Sequence, residues 1–119
     1  MSKFKTKLLP SLREKKRYLI FEIISNEKLA EFKRISNTIL QRNQQLIGEI
    51  GMSKGGVSIL HDCWNEKKQR GIIRVNPKYL NDVKTGLSLI KKIGDRRVIF
   101  KTVGVSGVLK KAKQRYLSL

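Results

Sequence analysis

"RYLIFEII", Arg17 to Ile24, is apolar on both of its faces, and the fold follows from how such a run must be covered. Its β-branched and aromatic residues mark a strand. Alternation sets Leu19, Phe21 and Ile23 on one side, and Tyr18, Ile20, Glu22 and Ile24 on the other. A strand with two apolar faces is central to its sheet, and is either covered on both sides or open on one side to a partner.

The neighbouring segments supply candidates for that cover. Ser25-Asn26 offers an N-cap, and Leu29, Phe32, Ile35 and Ile39 then recur at helical spacing. Ser36-Asn37-Thr38 is weak helix-forming sequence, so two helices meeting at an angle are expected there. The second would carry Ile39, Leu40, Leu46, Ile47 and Ile50. The stretch from Gly51 to Gly56 lacks the Gly-Lys-Ser/Thr ending and the strand-to-helix setting of a phosphate-binding loop, and reads as a connection from helix to strand. Val57 to Trp64 and Gly71 to Val75 are β-rich runs flanking a polar loop of hairpin length, Asn65 to Arg70. Asn76-Pro77 is a strong helix start. Leu80, Val83, Leu87, Ile90 and Ile93 extend its apolar stripe to Ile93, and Gly94 closes it. Val98 to Val105 reads as the last strand, and a lysine-studded closing helix follows.

Without that closing helix the order is βαββαβ, an α+β arrangement of the ferredoxin-like or RRM-like kind. Right-handed crossovers place both main helices on one face of an antiparallel sheet and leave the other face for the closing helix or a partner. Residues 1–16 read as a flexible basic N-terminal arm, and 17–119 as a single RRM-like domain that includes the C-terminal basic helix.

Charge narrows the function. Lys and Arg number 27 against 9 Asp and Glu, a formal +18 at pH 7 in 119 residues. Self-repulsion on that scale calls for a polyanion, and nucleic acid rewards each neutralised phosphate with a released counterion. A thermophile's lysine-rich surface would carry glutamates in matching number, whereas here basic residues outnumber acidic ones threefold. Cys63 is the only cysteine, which excludes an intramolecular disulfide and a cysteine metal cluster, and suits a half-buried structural thiol. No apolar run reaches membrane-spanning length, and a soluble, cytoplasmic protein with no membrane partner is expected.

RNA-recognition chemistry of the RRM type does not follow from the architecture. The place of its stacking rings reads Arg70-Gly71-Ile72-Ile73-Arg74-Val75, with aliphatic or polar residues where the aromatics would stand. Tyr18 alone could stack. An aliphatic face of Tyr18, Ile20 and Ile72 therefore suits protein contact. Catalysis by the chain itself is not expected. On a strand, His61 and Cys63 would face away from Asp62, which forbids a relay. The single His provides no acid–base pair, and the acids form no cluster for metal.

Three blocks together resemble a known family: "LPSLREKKRYLIFEI" (9–23), "GIIRVNPKYLNDVKTGLSLIKKI" (71–93) and "TVGVSGVLKKAK" (102–113). They are similar to the archaeal ribonuclease P protein component 2, which has eukaryotic relatives among the small Pop/Rpp subunits. Where that family usually has Thr after Ser-Gly, this chain has Val108, and Ser106 is the hydroxyl that could substitute. The resemblance implies a non-catalytic protein subunit of a ribozyme that removes the 5′ leader from precursor tRNA. It implies Mg²⁺ on the RNA subunit, and no cofactor bound by the chain. The implied partners are RNase P RNA, precursor tRNA indirectly, other RNase P proteins, and component 3, the Rpp30-like protein. With component 3 the chain is expected to support the catalytic domain of the RNA, often with dimerisation in a two-plus-two assembly. A generic structured-RNA- or ribosome-binding protein of the same fold, and a metal-dependent nuclease acting alone, are the competing readings.

The expected RNA-binding surface begins at Ser106-Gly107. Gly107 with φ > 0 would permit a sharp turn, and Ser106 would cap a helix whose free N–H groups meet a phosphate. Lys110, Lys111, Lys113 and Arg115 would extend that surface, while Val108, Leu109 and Ala112 pack it down. Val103 and Val105 should share a face of the last strand. Arg96 and Arg97 should line the same basic edge, and Lys15, Lys16 and Arg17 continue it from the arm. Arg74 reads as an ion pair to a protein partner, an RNA phosphate clamp, or a surface Arg that snorkels to solvent, and the sequence does not separate the three.

Overall fold

The protein is described by a computed structural model covering residues 15–29 and 31–118. Most of the basic arm, including Lys3, Lys5, Lys7 and Arg13, lies outside those residues. Strand β1 (Arg17–Ile24) is followed by helix α1 (Phe32–Gly55), strand β2 (Ser58–Ile59) and strand β3 (Arg70–Val75). Helix α2 (Leu80–Ser88), a β4–β5 hairpin (Lys92–Ile93 with Arg96–Arg97), strand β6 (Ile99–Ser106) and a closing segment complete the chain. That segment is one α-helical turn, α3 (Leu109–Ala112), continued by a π-type turn over Lys113–Leu117.

The main sheet has the order β2-β3-β1-β6, with every neighbouring pair antiparallel. This is the ferredoxin-like arrangement, with β1 central as its two apolar faces require. Leu19, Phe21 and Ile23 of β1 join Ile73 and Val75 of β3 beneath Ile35 and Ile39 of α1 and Val83 and Leu87 of α2. Both long helices therefore cover one face. Ile20 and Ile72 form a second, smaller core on the other face with Cys63 and Ala112. The alternation read from "RYLIFEII" is the one observed.

Several boundaries differ from the sequence reading. Helix α1 starts at Phe32, not at Ser25-Asn26, because Leu29 is tied by its own N–H and C=O to the side chain of buried Gln69 at 3.0 Å each. The break in α1 lies at Gly48 (φ 75°, ψ 174°) and not at Ser36–Thr38, since only glycine adopts that backbone readily. Beyond it, Gly51 to Gly55 remain helical, and Gly56 in the left-handed region ends the helix. After β2, His61–Cys63 is a 3₁₀ turn where a continuing strand was expected.

Asn76 caps as expected, its side chain accepting from Lys78 N–H at 2.9 Å. The helix that follows ends at Ser88, so Ile90 and Ile93 reach the core from irregular chain and from the hairpin. Gly94 (φ 62°) serves the hairpin turn.

Candidate nucleic-acid interface

The outer face of the sheet is already occupied. Ile20 and Ile72 are 0% exposed beneath the closing segment, with Leu109, Tyr116 and Leu117 packed around them. This corrects the expectation that Ile20 and Ile72 present an open face to a protein partner: one apolar side of the closing segment buries them. Tyr18 is half-buried at the margin of the same cluster.

Two features dock the closing segment. A β-bulge leaves Val103 unpaired between Thr102 and Gly104, which face Phe21 and Ile20. Val103 thereby joins the outer cluster, and Val105 stands opposite Leu19, so the two valines do not share a face. Gly104 then passes directly under the Tyr116 ring, where a Cβ would lie 2.3 Å from Cζ. Hydrogen bonds hold the far end. Arg70 Nη1 donates to the Tyr116 carbonyl at 2.9 Å, while its Nε donates to Glu22 at 2.8 Å. Asn65 Nδ2 donates to the Leu117 carbonyl at 2.8 Å, and Lys68 donates to that of Ser118.

With its apolar side committed, the segment presents Lys110, Lys111, Lys113 and Arg115 outward, all exposed. The strand-to-helix turn is built differently from the sequence expectation. Ser106 Oγ accepts from Val108 N–H at 3.1 Å and donates to the Val108 carbonyl at 2.9 Å, a local turn that leaves the helix start at Leu109 uncapped by a side chain. Gly107 is not in the left-handed region, and Val108 is 49% exposed where packing was expected. The α-helical part is too short to offer a phosphate a developed N-terminus. The cations remain; the cradle does not.

Arg96 and Arg97 stand at the other end of β6 from Ser106, about 23 Å away at the rise of a strand. Arg96 is ion-paired to Glu27, and Arg97 is exposed. They form a separate basic corner and not the edge shared with the closing segment. Lys15 is exposed; Arg17 is half-buried and donates to the Lys16 carbonyl at 3.2 Å. Arg74 lies on the outer face opposite Tyr18. Its Nε is buried without a partner among the described residues. Ser58 also belongs to this row, opposite Arg74, a placement that strand register alone reveals and that no sequence signal announced.

The His61–Cys63 stretch has no relay geometry. His61 packs edge-on against Phe32 at 5.3 Å, Asp62 is exposed, and Cys63 is buried. Burial pushes the Cys63 thiol above its ordinary range, nearby Lys113 draws it partly back, and Asp62 pushes it further up. Among the described residues no group of three or more His, Cys, Asp or Glu could hold a metal ion. No described helix is long and apolar enough to cross a membrane.

Residues 17–117 match the sequence model of the Rpp14/Pop5 family. The chain is 36% identical over 112 residues to ribonuclease P protein component 2 of Archaeoglobus fulgidus, spanning 94% of this chain and 97% of that one. It is 34% identical over 118 residues to the protein of that name in Pyrococcus furiosus, spanning 99% and 96%. The fold is similar to a chain in a cryo-EM structure of yeast ribonuclease MRP, with a TM-score of 0.50, 17% identity and coverage of 82% and 77%.

Proposed function

The chain belongs to the Rpp14/Pop5 family, and from that premise we propose that it is a non-catalytic protein subunit of ribonuclease P. In this reading an RNA subunit carrying Mg²⁺ cuts the 5′ leader from precursor tRNA. The present chain, with the Rpp30-like component 3, binds and stabilises the catalytic domain of that RNA.

One observation carries the reading. The closing segment buries its apolar side on the sheet and turns Lys110, Lys111, Lys113 and Arg115 outward, with no Asp or Glu between Gly107 and Ser118. A cationic ridge held on the sheet presents several charges at fixed backbone positions to a phosphate backbone, and each phosphate neutralised releases a counterion. Arg17, Arg74 and the lysines beside them extend the ridge along the Tyr18 end of the sheet. Arg96 and Arg97 form a second contact at the far end.

Reconstitution tests the proposal. Precursor tRNA cleavage is measured with RNase P RNA and the Rpp30-like protein, with and without this chain, across a Mg²⁺ series. Faster cleavage, or cleavage at lower Mg²⁺, is expected when the chain is present. Equal cleavage overturns the subunit reading and, if RNA still binds, leaves a generic structured-RNA-binding protein. Cleavage by the purified chain alone overturns the non-catalytic assignment.

A further inference from the structure

Ser58, Arg74, Tyr18 and Ser106 stand in one row across all four strands of the main sheet. Arg74 is opposite both Ser58 and Tyr18, and Tyr18 is opposite Ser106. Directly opposed residues share a face, here the outer one. The next row, Ile72, Ile20 and Gly104, lies under Ala112 and Tyr116. A polar row thus borders the sealed apolar patch.

Arg74 has the unusual chemistry. Its Nε is buried and unpartnered, and no ion pair joins its guanidinium to a described residue. A buried charged donor without an acceptor is costly, which points to an acceptor supplied from outside. The carboxylate of Glu22, further along β1, is already bound by Arg70. Arg17, next to Tyr18 on β1, adds a second cation near the row, its guanidinium 3.7 Å from where a Cβ on Gly107 would stand. A phosphodiester chain carries one charge per nucleotide and can meet both, where a single carboxylate meets one.

Tyr18 adds the second element. It is held half-buried by the outer cluster, and no other aromatic ring among the described residues packs against it. An aromatic beside a guanidinium on a flat sheet is suited to a base that has left its stack. The bases of an A-form duplex do not reach such a surface.

We propose that this row seats an unpaired nucleotide of RNA, its phosphodiester on the Arg74 guanidinium and its base against the Tyr18 ring. The Ser58 hydroxyl is a further donor beside them. The proposal rests on the RNA-binding reading above and deepens it: the closing segment contacts backbone in general, and this row selects single-stranded residues.

The test uses the full chain with a short single-stranded oligouridylate and, separately, an RNA duplex, each titrated across a salt series. Arg74→Gln is expected to lower the log–log salt slope for the oligouridylate by about 0.7. Arg74→Lys restores that slope but binds less tightly than the parent, because an ammonium lacks the fork. Tyr18→Leu weakens oligouridylate binding about five-fold or more, while Tyr18→Phe keeps most of it. Duplex binding is unchanged by the two Tyr18 variants and falls less than oligouridylate binding in Arg74→Gln. Thermal melting identifies the variants that remain folded, and Arg74→Gln with Tyr18→Phe suffices if Tyr18→Leu does not. An unchanged slope in folded Arg74→Gln, or equal losses on duplex and single strand, overturns this row alone. Loss of association with an acidic protein while RNA binding stays intact assigns Arg74 to a carboxylate and also overturns it. A parent chain that binds neither RNA overturns the row together with the reading beneath it.

Discussion

Gly104 and Tyr116 show how much of the outer face depends on one missing side chain. Because a Cβ at Gly104 would stand 2.3 Å from the Tyr116 ring, Gly104→Ala must displace that ring or bend β6. A loss of about 1–3 kcal/mol in urea unfolding is expected, the usual cost of overpacking. In a Tyr116→Ala background the same substitution should be nearly neutral; a full cost there would place the clash elsewhere. Cys63 is sealed by the same packing. Burial raises its thiol above the ordinary 9.0, so the folded chain holds the proton more tightly than the unfolded one. Its contribution to stability is therefore level below the ordinary thiol range and declines as pH climbs above it through the folded value. The difference in unfolding free energy between the parent and Cys63→Ser, followed across alkaline pH, should fall in that window and stay flat below it. A flat difference throughout would mean the thiol titrates as it does in water.

Among the elements, the closing segment is short but covers the most consequential surface. Four of its residues cover an aliphatic patch that, read along the strands alone, looks open to a partner. Ala112 is 0% exposed over that patch, so Ala112→Asp would force a carboxylate into it without a counter-charge. The segment should undock while the main core persists. Alkylation of Cys63 should then accelerate by more than about ten-fold, the ratio that 1.4 kcal/mol of undocking gives. An unchanged alkylation rate would show that other elements shield the thiol. Helix α2 carries the complementary lesson. Its apolar stripe continues in sequence to Ile93, yet the helix stops at Ser88, because a hairpin centred on Gly94 delivers Ile90 and Ile93 to the same core. Periodicity identified the buried residues correctly and misjudged the backbone that buries them.

For the molecule as a whole, the excess of 27 basic over 9 acidic residues governs behaviour toward polyanions. The exposed ridge of the closing segment is anchored to the fold through Leu109, Ala112, Tyr116 and Leu117. Changing Lys110 and Lys111 together to Ala should flatten the salt dependence of RNA binding by up to about two counterions while leaving the melting temperature unchanged. An unaltered slope would move the main contact to the corner of Arg96 and Arg97 or to the arm. That corner is partly neutralised by Glu27, whereas no Asp or Glu lies within the ridge.

Binary pattern was enough to determine the βαββαβ order and the central place of "RYLIFEII", and the residue count alone gives the formal charge of +18. These are local or additive properties: side chains alternate along a strand whatever surrounds it, and charges sum without reference to position. Tertiary structure alone decided that Ile20 and Ile72 are roofed over, that the bulge at Val103 parts the two valines, and that Ser58, Arg74, Tyr18 and Ser106 fall in line. Each of these depends on register and on contact between segments distant along the chain. A one-residue shift in pairing reverses such neighbourhoods while leaving the sequence pattern of every strand intact.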